Sequence, residues 1–589
     1  MSKIVSRNCP EEAAIKLAAS GFSPLLARIY AARGIADPAQ LETGTSRLLP
    51  FTLMKNAQQM AALLADAITA RKKMLIVADY DADGATACAL GLRGLRAMGA
   101  IVDFIVPNRF EYGYGLTPEI VRMAASRPPE RRVSDGVPLA GATEMRPDIL
   151  ITVDNGIASV EGVAEANRLG MQVLVTDHHL PGDTLPDALC IVNPNQPGCD
   201  FPSKNLSGAG VMFYVLLALR AELRNRRQMT DETSRKIVEL LDLVALGTIA
   251  DVVKLDQNNR ILVQQGLQRI RSGHACAGIN ALLQIARKSP AQATVYELGF
   301  VVGPRLNAAG RLEDMSLGIA CLLSDKAEEA MKMAEQLDTL NRERRNIEAE
   351  MQQAALTDLE RINPDESCSI ALFDESWHQG VIGILASRLK DKFHRPVIAF
   401  ARAQENELKG SGRSIPGFHL RDALDLVSKR HPRLLHKFGG HAMAAGLSIQ
   451  ETHFDEFCSA FEAIARSLLA PADLIRVIET DGELDSADFS VATAQSLEQQ
   501  VWGQGFPQPL FEGRFDVASQ RVVGEKHLKL ALRLCSNQKS PLSASSHDAI
   551  HFFSTDPLPE RIHAVYSLGV NEYNGNSSLQ LIIRHWQAA

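Results

Sequence analysis

Long apolar runs are missing from this 589-residue sequence. The longest uninterrupted one, Val211 to Leu219, falls far short of the roughly 20 residues a membrane-spanning helix needs. The N-terminal segment Met-Ser-Lys-Ile-Val-Ser-Arg-Asn has no apolar core of the kind a secretion signal carries, so a cytoplasmic protein with no membrane attachment is expected. The nine cysteines are scattered singly, with no Cys-x-x-Cys pair and an odd total. That pattern argues against a disulfide framework and against a zinc ribbon, and it fits reduced thiols. No internal repeat or low-complexity tract is present. Nucleotide-cofactor motifs are incomplete as well. Gly410-Ser411-Gly-Arg413-Ser414 lacks the Gly-Lys-[Ser/Thr] of a P-loop, so ATP use is not expected. Ser207-Gly208-Ala-Gly210-Val has no strand before it and no third glycine; it reads as a helix N-terminus that packs closely or meets phosphate.

Against these absences stand 46% hydrophobic and 22% charged residues, an ordinary balance for a soluble globular chain. The length implies three or four domains. The net charge of −7 hides a local excess of the opposite sign: Lys409 to His441 contains seven Lys/Arg, four His and two Asp. A basic stretch surviving in an acidic chain points to a polyanionic substrate, with a solvated helix face as the plain alternative.

Three short apolar runs each end in acid. Residues 74–78 lead into Asp79-Tyr-Asp81-Ala-Asp83-Gly84, residues 149–153 into Asp154-Asn-Gly156, and residues 172–176 into Asp177-His178-His179. Apolar runs of this length separated by helix-like stretches read as buried parallel strands, and ligands of such sheets bind beyond the carboxyl ends of the strands. At least five carboxylates and two imidazoles therefore meet at one edge. Like charges gather in that way when cations hold them, so a metal site is expected.

In an extended strand Asp79, Asp81 and Asp83 would lie roughly 6.6 Å apart on one face; Gly84 would permit a turn that gathers them. Two cations about 3.5–4 Å apart and sharing a carboxylate are suited to in-line attack on phosphorus. Asp154, from a different strand, is the natural bridging ligand. His178 adds an imidazole that favours manganese over pure magnesium chemistry. His179 could donate to a phosphoryl oxygen or leaving group. Asp251, ending the helical run Ile237–Ile249, could close the outer coordination shell. A single Asp after a strand is more often a helix cap; the weight rests on the set.

Around these motifs the chain divides into a helical extension (1–50), an α/β region (51–325) with strands at 74–78, 101–106, 149–153, 172–176 and 189–192, and a polar Pro/Gly-rich loop at 126–147. Residues 326–361 lack Gly and Pro and carry apolar residues at helical spacing up to Asn363-Pro364, so a connecting segment 326–365 built on one long helix is expected, as a strut between domains. A second, smaller α/β unit (366–468) has strands near Ser369–Phe373 and Pro396–Phe400. From 469 to 589 the pattern turns to β. His527-Leu-Lys529-Leu-Ala531-Leu-Arg533-Leu alternates strictly, and Asn574-Gly575 joins Val565–Tyr573 to Ser577–Trp586 as a hairpin. A small barrel of the oligonucleotide-binding (OB) type is expected.

The motifs Asp-Tyr-Asp-Ala-Asp-Gly and Asp-His-His resemble those of the DHH phosphoesterase superfamily. Further matches narrow the resemblance to its RecJ family of single-strand-specific 5′→3′ exonucleases. They are Pro107-Asn-Arg109-Phe-Glu-Tyr112-Gly-Tyr114-Gly, Ser207-Gly-Ala-Gly-Val, Leu246-Gly-Thr-Ile-Ala-Asp251-Val-Val and Gly303-Pro-Arg305-Leu-Asn307-Ala-Ala-Gly-Arg311-Leu. Trp377-His-Gln-Gly-Val-Ile-Gly, Gly410-Ser411-Gly-Arg413-Ser414 and Gly439-Gly-His441-Ala-Met-Ala-Ala-Gly resemble the family's DHHA1 domain. The resemblance implies a parallel-sheet DHH domain joined by the long helix to a DHHA1 domain and then the OB barrel. It also implies a pair of Mn²⁺ or Mg²⁺ ions held by Asp79, Asp81, Asp83, Asp154, His178 and Asp251, with Asp79 either a ligand or the support of one. Asp154 and His179 would be catalytic. Arg109, Arg305, Ser411 and Arg413 would surround a 5′-phosphate, Tyr112 or Tyr114 would stack on a base, and His441 would meet the phosphate chain. Asn307 and Arg311 complete the substrate set, Arg311 with the alternative of pairing to a carboxylate. Lys529 and Arg533 would hold the strand on the barrel. A cleft between the two α/β units would admit one strand, and hydrolysis there would release nucleoside 5′-monophosphates in DNA repair and recombination. A monomer, a helicase that supplies the strand and a single-strand-binding protein follow from the same resemblance. The rivals are a DHH phosphodiesterase on short oligonucleotides and a catalytically inactive replication scaffold.

Overall fold

A computed structural model describes the chain except residues 1, 109–111, 113–114, 127–145, 360–365, 405, 536–545 and 574. The expected loop at 126–147 and the Asn363-Pro364 stop therefore lie largely outside the described residues. The chain forms two compact units: residues 6–338 with 480–589, and residues 339–479 with the first five. All nine cysteines are free. Among the described residues no helix is long and apolar enough to cross a membrane.

The N-terminal region is not purely helical as expected. Strand β1 (Ser2–Ser6) precedes its helices Glu11–Ala19 and Pro24–Ala31, and it pairs with a strand far down the chain. Its alternation is too short to register against the helical pattern that follows.

In the larger unit, β2 (Lys73–Ala78), β3 (Ile101–Ile105), β4 (Ile149–Val153), β5 (Gln172–Thr176) and β6 (Cys190–Val192) form one parallel sheet in the order β3-β2-β4-β5-β6. Every residue of β4 is buried, as expected of a strand covered on both faces. One covering helix, Ala82–Ala97, is almost wholly buried. Its small residues let it lie between the sheet and the helix Gly208–Asn225: a side chain at Gly94 would collide with Leu216. The strand order reverses between β2 and β4, the place where α/β sheets open a crevice for ligands. Asp79 and Asp154 follow those two strands directly.

One helix, Ala327–Leu359, leads from this unit into the next. The second unit holds β7 (Ile370–Phe373), β8 (Val397–Gln404), β9 (Glu407–Arg413), β10 (Lys437–Gly440) and β11 (Ala444–Gln450), in the order β10-β11-β9-β8-β7. Only β7 and β8 are parallel. The Gly-rich segments that resisted assignment from sequence are thus strands: β9 pairs with both β8 and β11. Strand β12 (Arg476–Thr480) is the partner of β1.

Strands β13 (Phe511–Val523), β14 (His527–Leu534), β15 (Ser546–His551), β16 (Arg561–Tyr573) and β17 (Asn576–Ala588) close a barrel in the order β13-β14-β15-β17-β16. Leu528, Leu530 and Leu532 fill it, as the alternation in β14 requires. Ahead of the barrel, Trp502 and Phe506 stack with each other, Phe506 stacks on Tyr30 and Trp502 lies tilted against it. Arg33 makes a two-pronged buried pair with Asp481 beside them.

Candidate metal centre

The acidic motif after β2 is fixed by backbone amides. Asp81 caps the helix Ala82–Ala97, accepting from the N–H groups of Asp83 (2.9 Å) and Gly84 (3.0 Å). The helix-cap alternative is therefore real, and it leaves the second oxygen of Asp81 to point elsewhere. Asp83 accepts from the amides of Gly208 (2.5 Å) and Ala209 (3.0 Å) at the N-terminus of the next helix. That contact explains Ser207-Gly208-Ala-Gly210: Ser207 caps the helix, and the amides behind it meet a carboxylate of the protein. A side chain on Gly208 would sit 2.5 Å from Asp154. Gly84 acts differently from expectation. It lies inside the first helical turn, and its bare Cα admits Asp79, whose Cβ would be 2.7 Å from an added carbon.

Asp154 has left-handed backbone (φ 62), which turns its carboxylate back over the sheet edge. Asn155 holds that turn by donating to the carbonyls of Val77 (3.1 Å) and Val153 (2.9 Å), so it ties β2 to β4. Asp177 is buried; one oxygen accepts from the amides of His178 and His179 and from the His179 ring (2.8 Å), the other from Ile157 N–H. Asn193 and Asn195, after β6, donate to the carbonyls of His179 and His178. Sequence reasoning assigned no role to Asn155, Asn193 or Asn195 and counted Asp177 only among the carboxylates gathered at the edge; a polar residue one to three places after each strand was the available signal.

Ligand-type atoms converge in three overlapping sets: Asp79, Asp81 and Asp154; Asp154, His178 and His179; Asp83, His178 and Asp251. Asp154 is shared by two of them. His178 Nε2 lies 3.1 Å from Asp154 Oδ1 and 3.5 Å from Asp251 Oδ2. Burial and the neighbouring His179 charge lower the His178 pKa to about 4, so the ring is neutral. Its Nε2 and Oδ2 of Asp251 are buried with no hydrogen-bond partner. Lone pairs facing one another fit a cation between them. Burial first, then the charges of their acidic neighbours, pushes Asp83 up to about 7 and Asp154 and Asp251 well above the carboxylate range. Such a cluster cannot ionise together in the absence of compensating positive charge. The donor set of carboxylates and one imidazole suits Mn²⁺ or Mg²⁺. Asp251 stands with His178 in this inner set.

His179 behaves oppositely. Burial alone would lower its pKa, but the Asp177 hydrogen bond and the surrounding carboxylates raise it to about 9. It is a proton-carrying imidazole beside a neutral one.

Several expected substrate residues are turned inward. Arg305 is buried, bonded to Asp338 (2.9 and 2.8 Å) and to the Val301 carbonyl (2.7 Å), so it faces the long helix and offers no open guanidinium. Asn307 accepts from the Ala82 amide (2.9 Å), and a side chain at Gly310 of the same helix would strike the Tyr80 carbonyl. The segment Gly303–Leu312 therefore braces the acidic motif. Arg311 is half-buried at the end of that helix. Tyr112 is half-buried and packs against the core that includes Leu116 and Ile120. Arg109 and Tyr114 lie outside the described residues.

In the second unit Ser411 and Arg413 do come together. Arg413 donates to Ser411 Oγ (3.1 Å) and to the Gly412 carbonyl. Both side chains lie over Gly383 at the start of the helix Ile382–Phe393, each 2.9 Å from where a Cβ would be. His441 is exposed in the turn between β10 and β11, whose Ala444 pairs with Arg413. On the barrel Lys529 pairs with Asp548 (3.3 Å), and Arg533 is exposed.

Fold and acidic centre together define a protein of the DHH class. The chain matches the DHH family N-terminal domain over residues 73–248, the DHHA1 domain over 365–467 and the RecJ OB domain over 480–585. It is 48% identical to the single-stranded-DNA-specific exonuclease RecJ of Salmonella typhimurium, over 95% of each chain. Its fold matches crystal structures of Thermus thermophilus RecJ with Mn²⁺ (TM-score 0.79, 29% identity) and with Mg²⁺ (0.74, 27%), covering all of this chain and 79% and 78% of those chains. The chain belongs to the RecJ family.

Proposed function

We infer that the chain is a metal-dependent exonuclease that degrades single-stranded DNA from the 5′ end and releases nucleoside 5′-monophosphates. The observation that carries this reading is Asp154, held in a left-handed turn, grouped with Asp79 and Asp81 on one side and 3.1 Å from the His178 ring that Asp251 faces on the other. Asp79, Asp81 and Asp154 would hold one ion and Asp154, Asp83, His178 and Asp251 the other. Mn²⁺ or Mg²⁺ there supplies polarisation of a phosphoryl oxygen and an acidified water.

The side chains supply the rest. Asp177 fixes the His179 ring so that Nε2 presents its proton outward, where it can be given to a phosphoryl or leaving oxygen. Asn155, Asn193 and Asn195 hold the two turns that aim Asp154 and the histidine pair. Ser411, Arg413 and the adjacent helix N-terminus offer charge-assisted donors suited to a terminal phosphate monoester. His441 would extend that contact along the chain. The catalytic domain is assigned to 51–325, the phosphate-holding domain to 366–468 and the strand-holding barrel to 469–589. A cytoplasmic monomer that receives its strand from a helicase and a single-strand-binding protein is the finer form of this reading, resting on family resemblance. Neither rival is favoured: a dead scaffold has no use for a complete ligand set, and an enzyme of short oligonucleotides has no use for the barrel.

One oligonucleotide, labelled separately at each end and offered as single strand and blunt duplex with Mn²⁺ or EDTA, tests the reading. The 5′ label should leave first as a mononucleotide, only from the single strand and only with metal. Asp154→Ala should bind the strand and release nothing; stable binding by the unaltered enzyme with no cleavage would overturn the assignment.

A further inference from the structure

The larger unit contains a groove that none of these assignments uses. It encloses about 1480 Å³ between the helical segment that follows Thr294 and one end of the barrel. Four of its apolar side chains are largely exposed: Tyr296 (55%), Phe300 (66%), Val252 (63%) and Phe553 (84%). Two of these, Val252 (φ 60) and Phe553 (φ 56), have left-handed backbone, which β-branched and aromatic residues rarely adopt. Phe300 belongs to a π-helical turn, Glu297–Val302, a form concentrated at functional sites. Strain and apolar exposure both oppose folding, and here they coincide on one surface.

The rings are nonetheless fixed. Tyr296 and Phe300 stack at 5.2 Å and 26°. Across the groove the Phe553 amide donates to His527 Nδ1 (3.0 Å), and the His527 ring stands edge-on to Phe552 and Phe553. The carboxylates of the lining are engaged by the protein: Glu297 by Thr294 and Lys288, Glu498 by the Val570 amide, and Glu572 by Gln292. The groove thus combines aromatic rings held in place with the basic lining residues Arg271, Lys288 and Arg584. The lining continues to Val252 and Val253, the residues that follow Asp251 of the metal centre.

We propose that this groove holds the incoming DNA strand on its way to the centre, with bases stacked on the Tyr296–Phe300 pair and on Phe553. The proposal rests on the exonuclease reading. Neutral rings accept any base through its face, which suits an enzyme indifferent to sequence. They also reject a duplex, whose bases already stack on one another, so the groove contributes to strand selectivity. An apolar peptide is the other occupant such a surface could take, and the test separates the two.

The intact protein and its Phe300→Ala and Phe553→Ala variants are compared on 5′-phosphorylated oligo(dT) of about 30 and about 4 nucleotides, lengths above and at the lower limit of what a barrel spans. Anisotropy of a labelled long strand in EDTA reports binding alone. For each ring removed, KM and Kd on the long strand should rise about tenfold. The value of kcat and hydrolysis of the short strand should stay unchanged. Phe300→Leu and Phe553→Leu keep the apolar volume and lose the aromatic face, so they should behave like the alanine variants. Unchanged binding of the long strand would overturn the proposal and leave the groove to a peptide. Equal losses on both lengths would overturn it as well, because the rings would then be supporting the centre. Unaltered protein that binds the long strand and cleaves neither length would instead overturn the exonuclease reading.

Discussion

The acidic centre and the barrel carry opposite kinds of order. At the centre main-chain groups hold the acids that frame the site: Asp81 and Asp83 by amides of two helix N-termini, Asp177 by the amides of its own turn. On the barrel the polar residues that would meet a strand, Lys529 and Arg533, stand on regular β14 with at most one side-chain partner described. Placement by backbone fixes atoms to a fraction of an ångström, which chemistry on phosphorus demands. Placement on an open sheet face tolerates substitution, which sequence-indifferent binding permits. A single substitution at the centre should therefore act far more strongly on turnover than any on the barrel acts on binding.

After the complete loss expected of Asp154→Ala, the largest effect is expected where one residue orients another. Asp177→Asn keeps the size of the side chain but gives the His179 ring an amide that can present its NH₂ group, favouring the wrong tautomer. A loss of turnover on the order of 10³–10⁴-fold is expected, with Kd for single strands in EDTA unchanged. A loss below tenfold would show that His179 needs no orientation, and the contrast between centre and barrel would weaken accordingly.

A second, smaller effect separates support from contact. Arg305→Met strips the buried Asp338 of its guanidinium partner, and breaking a buried pair typically costs about 3–5 kcal/mol. The melting temperature should fall by several degrees, while the ratio of kcat/KM on 5′-phosphorylated and 5′-hydroxyl ends stays constant. If the ratio collapsed with the melting temperature intact, Arg305 would be a phosphate residue after all.

The same contrast explains what could be read from the sequence. The β2, β4 and β5 runs and the acids after them were legible because a buried parallel strand has a distinctive composition and its end is where ligands gather. The barrel was legible from the alternation in β14. For Arg305 and Asn307 the motif does not say that a polar side chain also meets a partner within the protein, such as Asp338, 33 residues ahead, or the Ala82 amide. Asp177 was counted among the carboxylates at the edge, but its task of orienting His179 was not legible, because it depends on amides of a turn that exists only once folded. The glycine-rich β9 and β10 hid because glycine carries no strand signal, and their register comes from β11, with which both pair. Val252 and Phe553 carry no mark in the sequence; their exposure and backbone angles exist only in the folded chain.

The barrel supplies the smallest effect and the finest test of the comparison. Lys529 and Asp548 are each about one-third exposed and 3.3 Å apart, so their attraction is largely screened and contributes at most about 1 kcal/mol to stability. Lys529→Ala should leave the melting temperature within a degree or two. Its effect on a strand is different, because removal of the cation leaves Asp548 facing the phosphates alone. The affinity should fall severalfold, and the slope of log K against log salt should become shallower by about 0.7, one single-strand phosphate contact. Asp548→Asn should do the reverse: it frees Lys529, strengthens binding at low salt and leaves turnover at saturation unchanged. If both substitutions left the salt slope unaltered, the phosphate chain would not cross this face, and strand-holding would fall to the aromatic groove at the barrel's end.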